Sequence, residues 1–488
     1  MIAVARVSPG GENTFVSREI RPDYNQLLLL PPSIDEWVPK EHPVRIVRDL
    51  VDALDLSELG LQAFAAGDVG RPHYAPDLLL KVWLFGWMER IRSSRALERA
   101  CMRDLAFVWL TGNLHPDHNT LWRFFRDNKE ALRKLFKLIV KFAVKADLVG
   151  FALHAIDGTK LAAASSMETA QHRKVLEERL KKLDSIVNAS IAATEAAEKL
   201  EQGSYALPES LRDAKERKAK VAELLAELDE AETNHRHRKD PNARVMRSRQ
   251  GRILGFNAQA VVDETSDLIL AADVSGDETD YAQLVPMLQQ VSDNTGANAE
   301  QSIADAGYWS GAQLAEAEKR HLPVLVSEQS ESSAKGEFSK SNFTYDAERN
   351  AYICPRNEVL QHEGTWSPTT GREYRTFLYR CRNTECPVRS DCTQDKKGRS
   401  IKRSEHADAL ERNAEKLREP HLRELLRKRK SIIEHIFALA KTRDGFSRFT
   451  VRGLEGVRAQ WALVCTAINV RKLLAFWAAG RLPLAIRA

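Results

Sequence analysis

The sequence predicts an α/β core, preceded by an all-α region and interrupted by two insertions. Three features of the chain carry this. Apolar residues recur at helical spacing from 44 to 127. Between 148 and 327, short apolar runs of strand length alternate with helical stripes, the pattern of an α/β unit. Two stretches, 167–240 and 328–410, break that alternation with a different texture. At 488 residues the chain exceeds one ordinary core, so several domains are expected. The boundaries read from these shifts give a helical region over 1–146 and core segments over 147–166 and 241–327. A helical hairpin is inserted over 167–240 and a cysteine-bearing segment over 328–410. A late helix with a basic C-terminal region fills 411–488.

Composition narrows the class. Charged residues make up 29% and hydrophobic ones 43%, as in a soluble globular protein. The net charge of +5, from 73 Lys and Arg against 68 Asp and Glu, is small, so where the cations cluster matters more than their total. No apolar run reaches the roughly 18 residues of a membrane span, and MIAVARVSPGG lacks a signal-peptide core. A cytoplasmic protein with no membrane partner is expected. In that setting six cysteines argue against a disulfide framework.

Residues 1–30 read as a leader. A helix follows Pro43, with Val44, Val47, Leu50, Val51 and Leu54 on its stripe. Pro76 opens a stronger one to Arg90, carrying Leu79, Val82, Trp83, Gly86 and Trp87 on one face. Ser93 or Ser94 can cap the next helix. From Ala96 to Asp127 three short helical pieces follow, broken at Thr111-Gly112-Asn113. The last, NTLWRFFRDN, mixes Arg123 and Arg126 with aromatic residues, which suits either a helix-turn-helix on DNA or a small helical bundle.

VGFALHAIDGTKLAA reads as a buried strand ending at Asp157, although Asp-Gly alone is equally a turn signal. Leu176, Leu180, Leu183, Val187 and Ile191, then Leu211, Ala214, Val221, Leu225 and Leu228, form a coiled-coil-like hairpin broken at Gly203 to Pro208. It suits dimerisation, DNA contact or a solvated spacer alike. Basic residues Arg244, Arg247, Arg249 and Arg252 precede two strands within Ile253 to Val274. A helix spans Asp280 to Val291. The short strand Ser302-Ile303-Ala304 delivers Asp305-Ala306-Gly307-Tyr308-Trp309, and a helix and a strand at Pro323 to Ser327 follow. Cys354, Cys381, Cys386 and Cys392 then cluster, either as structural metal ligands or as reduced thiols; their spacings are wider than those of a standard zinc knuckle.

LLRKRKSIIEHIFALAK places Glu434 beside an apolar helical stripe and behind the run Arg427 to Lys430. A carboxylate so placed needs a compensating cation or donor, and a salt bridge to Lys430 or Lys441, one or two turns away, is the simplest. Arg443, Arg448, Arg452 and Arg458 then offer phosphate contacts. Three acids thus stand out by context: Asp157, Asp305 and Glu434. Clustered carboxylates that clamp two divalent ions are what phosphoryl transfer requires.

These motifs resemble a DDE-type transposase of bacterial insertion sequences, of the IS-eleven-eighty-two type. AIDGTKL is similar to its first acid motif, IADAGYWS to its second, and SIIEHIFALAK with FTVRGLEGV to its third. The Tyr-Arg-Glu-Lys series often found around the third acid has Arg427 and Lys430 in its first two places, while Glu434 and Lys441 match. The resemblance implies an RNase H-like core in which Asp157, Asp305 and Glu434 are catalytic and hold two Mg2+ or Mn2+ ions. It implies DNA contacts from Lys430, Lys441, Arg448 and Arg452, with Tyr308 and Trp309 stacking on an end base or packing in the core. A structural Zn2+ on the four cysteines is a further expectation. DNA, as element ends and target, is the implied partner, bound by a homo-oligomer in the bacterial nucleoid.

Overall fold

The computed structural model describes residues 33–61, 73–166, 171–198, 209–230, 235–237, 239–248, 251–329, 336–366 and 375–481. The expected leader over 1–30 and the break at Gly203 to Pro208 lie outside the described residues.

The N-terminal region is helical, and each start has a local cause. In α1 (Pro43–Asp52), Pro43 needs no donor in the first turn and His42 Nδ1 accepts from Val44 N at 3.2 Å. α2 (Pro76–Met88) is buried nearly all round. Ser93 caps α3 (Ser94–Arg103), Asp104 caps α4 (Leu105–Thr111), and Gly112 ends α4 at a φ of +60°. Asp117 caps α5 (His118–Asp127), and α6 (Lys129–Lys145), which the sequence pattern had not singled out, follows at once. Trp83 Nε1 donates to the Leu121 carbonyl at 3.0 Å and pins α2 to α5.

β1 (Leu153–Ala162) enters the main sheet. β2 (Gln171–His172) and β3 (His235–Arg236) pair at the base of the inserted hairpin, formed by α7 (Arg173–Glu198) and α8 (Glu209–Glu230). The core then resumes with β4 (Arg244–Ser248), β5 (Gly251–Asp263), β6 (Ile269–Ser275), α9 (Leu284–Thr295), β7 (Gln301–Ala304), α10 (Gly311–Lys319) and β8 (Val324–Val326). The long β5 pairs antiparallel with β1 along one edge; on its other edge it meets β4 and β6 in turn. β7 and β8 run parallel to β1 on the far side. The structure corrects one detail of the reading: Asp157 sits in mid-strand, because β1 continues against β5 to Ala162. Only its parallel pairing with β7 stops just before the acid, at Ile156.

A second, antiparallel sheet carries the cysteines. Its strands are β9 (Thr344–Asp346), β10 (Ala351–Ile353), β11 (Val359–Trp366), β12 (Thr376–Cys381) and, after the short α11 (Arg389–Cys392), β13 (Ser400–Ser404). It has its own small core of Phe338, Phe343, Tyr352, Leu360, Tyr379 and Ile401.

α12 (Ala407–Lys416) and α13 (Pro420–Ala438) return the chain to the main sheet. A π turn at Leu439–Arg443 ends α13, and α14 (Leu454–Ala478) closes the fold. α14 is long and apolar enough to cross a membrane by length and composition, yet most of it is buried within the protein. It packs on α2 and α6 and against β6, so the helical region and the main sheet share one continuous hydrophobic core.

Candidate active site

The geometry begins with two strands. In the parallel register Ile156 stands beside Ala304, so Asp157, still within β1, and Asp305, the first residue after β7, come next to each other. Asp157 Oδ1 accepts from Gly158 N at 2.7 Å, and Oδ2 accepts from Arg429 Nη1. Burial pushes the Asp157 carboxyl up to about 6; the Arg429 guanidinium pulls it down, and the neighbouring Asp305 charge raises it again. Asp305 Oδ1 accepts from Gly307 N at 2.8 Å and caps the short turn Ala306–Tyr308.

A third aspartate, which the sequence suggested only as a helix start, belongs to this group. Asp280 Oδ1 accepts from Asn257 Nδ2 and Gln259 Nε2, both at 2.7 Å, and from Lys160 Nζ at 3.3 Å. Two glycines make the close approach possible. A Cβ on Gly158 would stand 2.4 Å from Gln259 Nε2 and 2.5 Å from Asp280 Oδ1. A Cβ on Gly307 would stand 2.9 Å from Asp305 Oδ1 and 3.2 Å from Asp280 Oδ2. Asp280 and Asp305 therefore face one small space, with Lys160 beside it; burial lowers the lysine's pKa, and Asp280, Asp305 and Asp157 oppose that shift.

The third predicted acid is placed differently. Ile432, Ile433, Ile436, Phe437 and Ala440 bury the stripe as expected, but Glu434 lies on the exposed side of α13. The α13 side chain that reaches Asp157 is Arg429. Among the described residues no three His, Cys, Asp or Glu side chains form a group that could hold a metal ion as they stand.

The expected DNA contacts divide as well. Lys430, Arg448 and Arg452 are exposed. Lys441 donates to Thr159 Oγ1 on β1, two residues from Asp157. Tyr308 is closed to a base: its ring is fully buried and its hydroxyl donates to Gln259 Oε1, because the turn after Asp305 points it into the core. Trp309 is half-buried and packs on the same core. On the β4–β5 hairpin Arg247 lies directly opposite Arg252, a like-charge pair that is unfavourable unless an anion joins it.

The four clustered cysteines share one end of the second sheet. Cys354 follows β10 in the turn to β11, and Cys381 ends β12; Cys386 and Cys392 lie in the connection from β12 to β13, which starts and finishes at that same end. Cys354 Sγ accepts from the backbone N–H groups of Arg356 and Glu358, each at 3.3 Å. Cys101 and Cys465 are buried in the main core.

Two families match the chain. One, described as a transposase domain (DUF772), covers residues 32–127, the helical region. The other, described as a transposase DDE domain, covers residues 353–474. The second match begins inside the cysteine-bearing segment and contains Glu434 and Lys441, whereas Asp157 and Asp305 precede it. No curated protein matches the chain. A DDE domain implies an RNase H-like core, and the mixed α/β architecture agrees with one. Two transposase domains matched in one chain support a DDE-type transposase of insertion sequences.

Proposed function

We propose that this transposase cuts and joins the ends of its insertion sequence by metal-dependent phosphoryl transfer, with Asp157, Asp305 and Glu434 as the catalytic acids. The observation that carries the reading is the proximity of Asp157 and Asp305, each the residue that follows the last parallel pair, Ile156 and Ala304, of β1 and β7. Two adjacent carboxylates, one of them partly buried and raised toward neutrality, are an arrangement that a divalent cation relieves. The donor set fits magnesium or manganese in kind, being all oxygen. When bound, two such ions would stabilise the attacking and leaving oxygens of the transferred phosphate.

The chain's own residues account for the rest. Arg429 now neutralises Asp157 and has to yield that oxygen before a metal ion can use it. Glu434 joins the aspartates only if α13 turns, and the π turn at Leu439–Arg443 gives the helix a natural place to do so. Asp280 holds Lys160, Asn257 and Gln259 in fixed positions beneath the two aspartates. Lys441 and the exposed Lys430, Arg448 and Arg452 supply phosphate contacts around the site.

The test uses Asp157→Asn, Asp305→Asn and Glu434→Gln in an assay for cleavage and joining of element ends with magnesium. Each variant should lose roughly 10²- to 10³-fold in both steps, the scale on which removal of a charge-stabilising group acts. DNA binding should persist. Cutting without joining by the wild type would indicate a nuclease instead. Near-normal cleavage by the Glu434→Gln protein would remove that residue from the site.

We also infer a structural zinc on Cys354, Cys381, Cys386 and Cys392. The support is their common position at one end of the second sheet, together with the two backbone donors on the Cys354 sulfur. Amide donors aimed at a sulfur favour the thiolate that zinc requires. The sulfurs would have to draw together around the ion.

A further inference from the structure

We infer that the outer face of α3 tracks the phosphate backbone of duplex DNA, through Arg95, Arg99 and Arg103. This deepens the transposase reading and rests on it for the partner. The three arginines stand at positions i, i+4 and i+8, so they form one row along the helix; Leu97, Ala100 and Cys101 bury the opposite face. All three are exposed, and no ion pair joins any of them to a described residue. The one acid within the helix, Glu98, is instead engaged by His118 Nδ1 at 3.0 Å.

Such a row works against its own helix. Like charges four residues apart repel, and Arg95 adds positive charge to a first turn whose dipole end is already positive. No ion pair with a described residue offsets the row, and a line of phosphates would supply the repeating negative charge that does. Four residues of α-helix rise about 6 Å, which is of the order of the separation between successive phosphates on one DNA strand.

The neighbouring surface fits the same partner. The N-terminal end of α3 adjoins Trp122: a shallow cleft is lined by Arg92, Ser93, Ser94, Trp122, Thr450 and Val451. Trp122 is 42% exposed although it stacks on Phe125, and Arg123 beside it is exposed too. Thr450 and Val451 lie between the exposed Arg448 and Arg452. The α3 row therefore leads towards the C-terminal basic segment next to Lys441 and β1. A duplex on this path would run from the helical region to the aspartates.

The experiment replaces all three arginines by glutamine in the full-length protein. Binding is followed by fluorescence anisotropy across a salt series, on an element-end duplex and on an unrelated duplex. Each lost phosphate contact should lower the slope of log K against log salt by about 0.9, so the triple variant should lose between two and three in slope on both duplexes. A triple lysine variant should keep most of the slope, because counterion release depends on charge. Melting temperature should be unchanged in the lysine variant and unchanged or slightly raised in the glutamine variant, where the repulsion is relieved. An unchanged slope in the glutamine variant overturns the proposal, as does weaker binding that appears only together with lowered melting. If the wild-type protein itself binds neither duplex, it is the transposase reading that fails; binding by the wild type with no effect of the substitutions removes the α3 row alone.

Discussion

Asp157 carries the tension at the residue scale. Its carboxyl lies between the guanidinium of Arg429 and the carboxyl of Asp305, in a setting where burial alone favours its neutral form. Arg429 is itself buried, so it depends on Asp157 as much as the acid depends on it. Replacing Arg429 by Met should therefore leave a buried carboxylate without its cation and destabilise the metal-free protein by about 3 kcal/mol. Magnesium should recover part of that loss, because the ion takes over the role of the guanidinium. Thermal melting of the wild type and the variant, each with and without magnesium, checks this. An equal loss in both conditions would mean that Arg429 and the ion do not compete for Asp157. The sequence made the two motif aspartates readable, because each follows a short apolar run of strand type. It hid Arg429 within a basic run, although residue 429 lies four before Ile433 and so shares its buried face. Asp280 was hidden for another reason: its partners, Lys160, Asn257, Gln259 and Gly307, come from strands and turns that only the folded sheet brings together.

At the scale of elements, β1 carries a second buried titratable group besides the site. His154 is 1% exposed, and its Nε2 lies 3.3 Å from the Gly150 carbonyl and 3.7 Å from Asp263 Oδ1. Burial holds the imidazole below its ordinary value, with Asp263 opposing the shift. The folded protein therefore keeps His154 neutral at a pH where the unfolded chain already takes up a proton, near about 6.5. The unfolded state binds more protons in that window. The stability linked to this group is complete above about 6.5 and is lost as pH falls below it. His154→Gln should flatten that acid limb, and urea midpoints measured from about pH 7.5 down to about pH 5 would reveal it. Parallel midpoint curves would exclude His154 as the source. The second sheet makes a separate prediction. Purified protein should contain about one zinc per chain, and Cys381→Ser should release it and loosen the β12–β13 connection; protein free of zinc would leave four reduced thiols. Cysteine spacing suggested a metal but not its frame, since strand pairing, which no local pattern encodes, is what brings Cys354 and Cys381 to the same end of the sheet.

For the whole molecule the question is whether the helical region is a separate unit. The break in texture at 147 suggests a boundary, and helical periodicity alone cannot say which helix covers which. α14 supplies the answer, since its apolar surface runs nearly all round and packs on α2 and α6 as well as on the sheet. Trp461 is the joint of this arrangement. It is fully buried, its Nε1 donates to the Gln259 carbonyl at 2.9 Å, and its ring stacks on Phe437 and Phe446. Gln259 in turn holds Asp280 and Tyr308, so one tryptophan couples α13, α14 and the floor of the site. Trp461→Ala should cost about 3–5 kcal/mol, as large-to-small changes of buried aromatic residues do. Trp461→Phe keeps most of the packing and leaves the Gln259 carbonyl without its donor, at about 1–3 kcal/mol. Because the core is continuous, the loss should not stay local. Hydrogen exchange on the alanine variant should accelerate together in α2, α6 and β5, as one cooperative unit. If α2 and α6 kept their protection while β5 lost its own, the helical region would be a self-standing domain, and α14 would only rest against it.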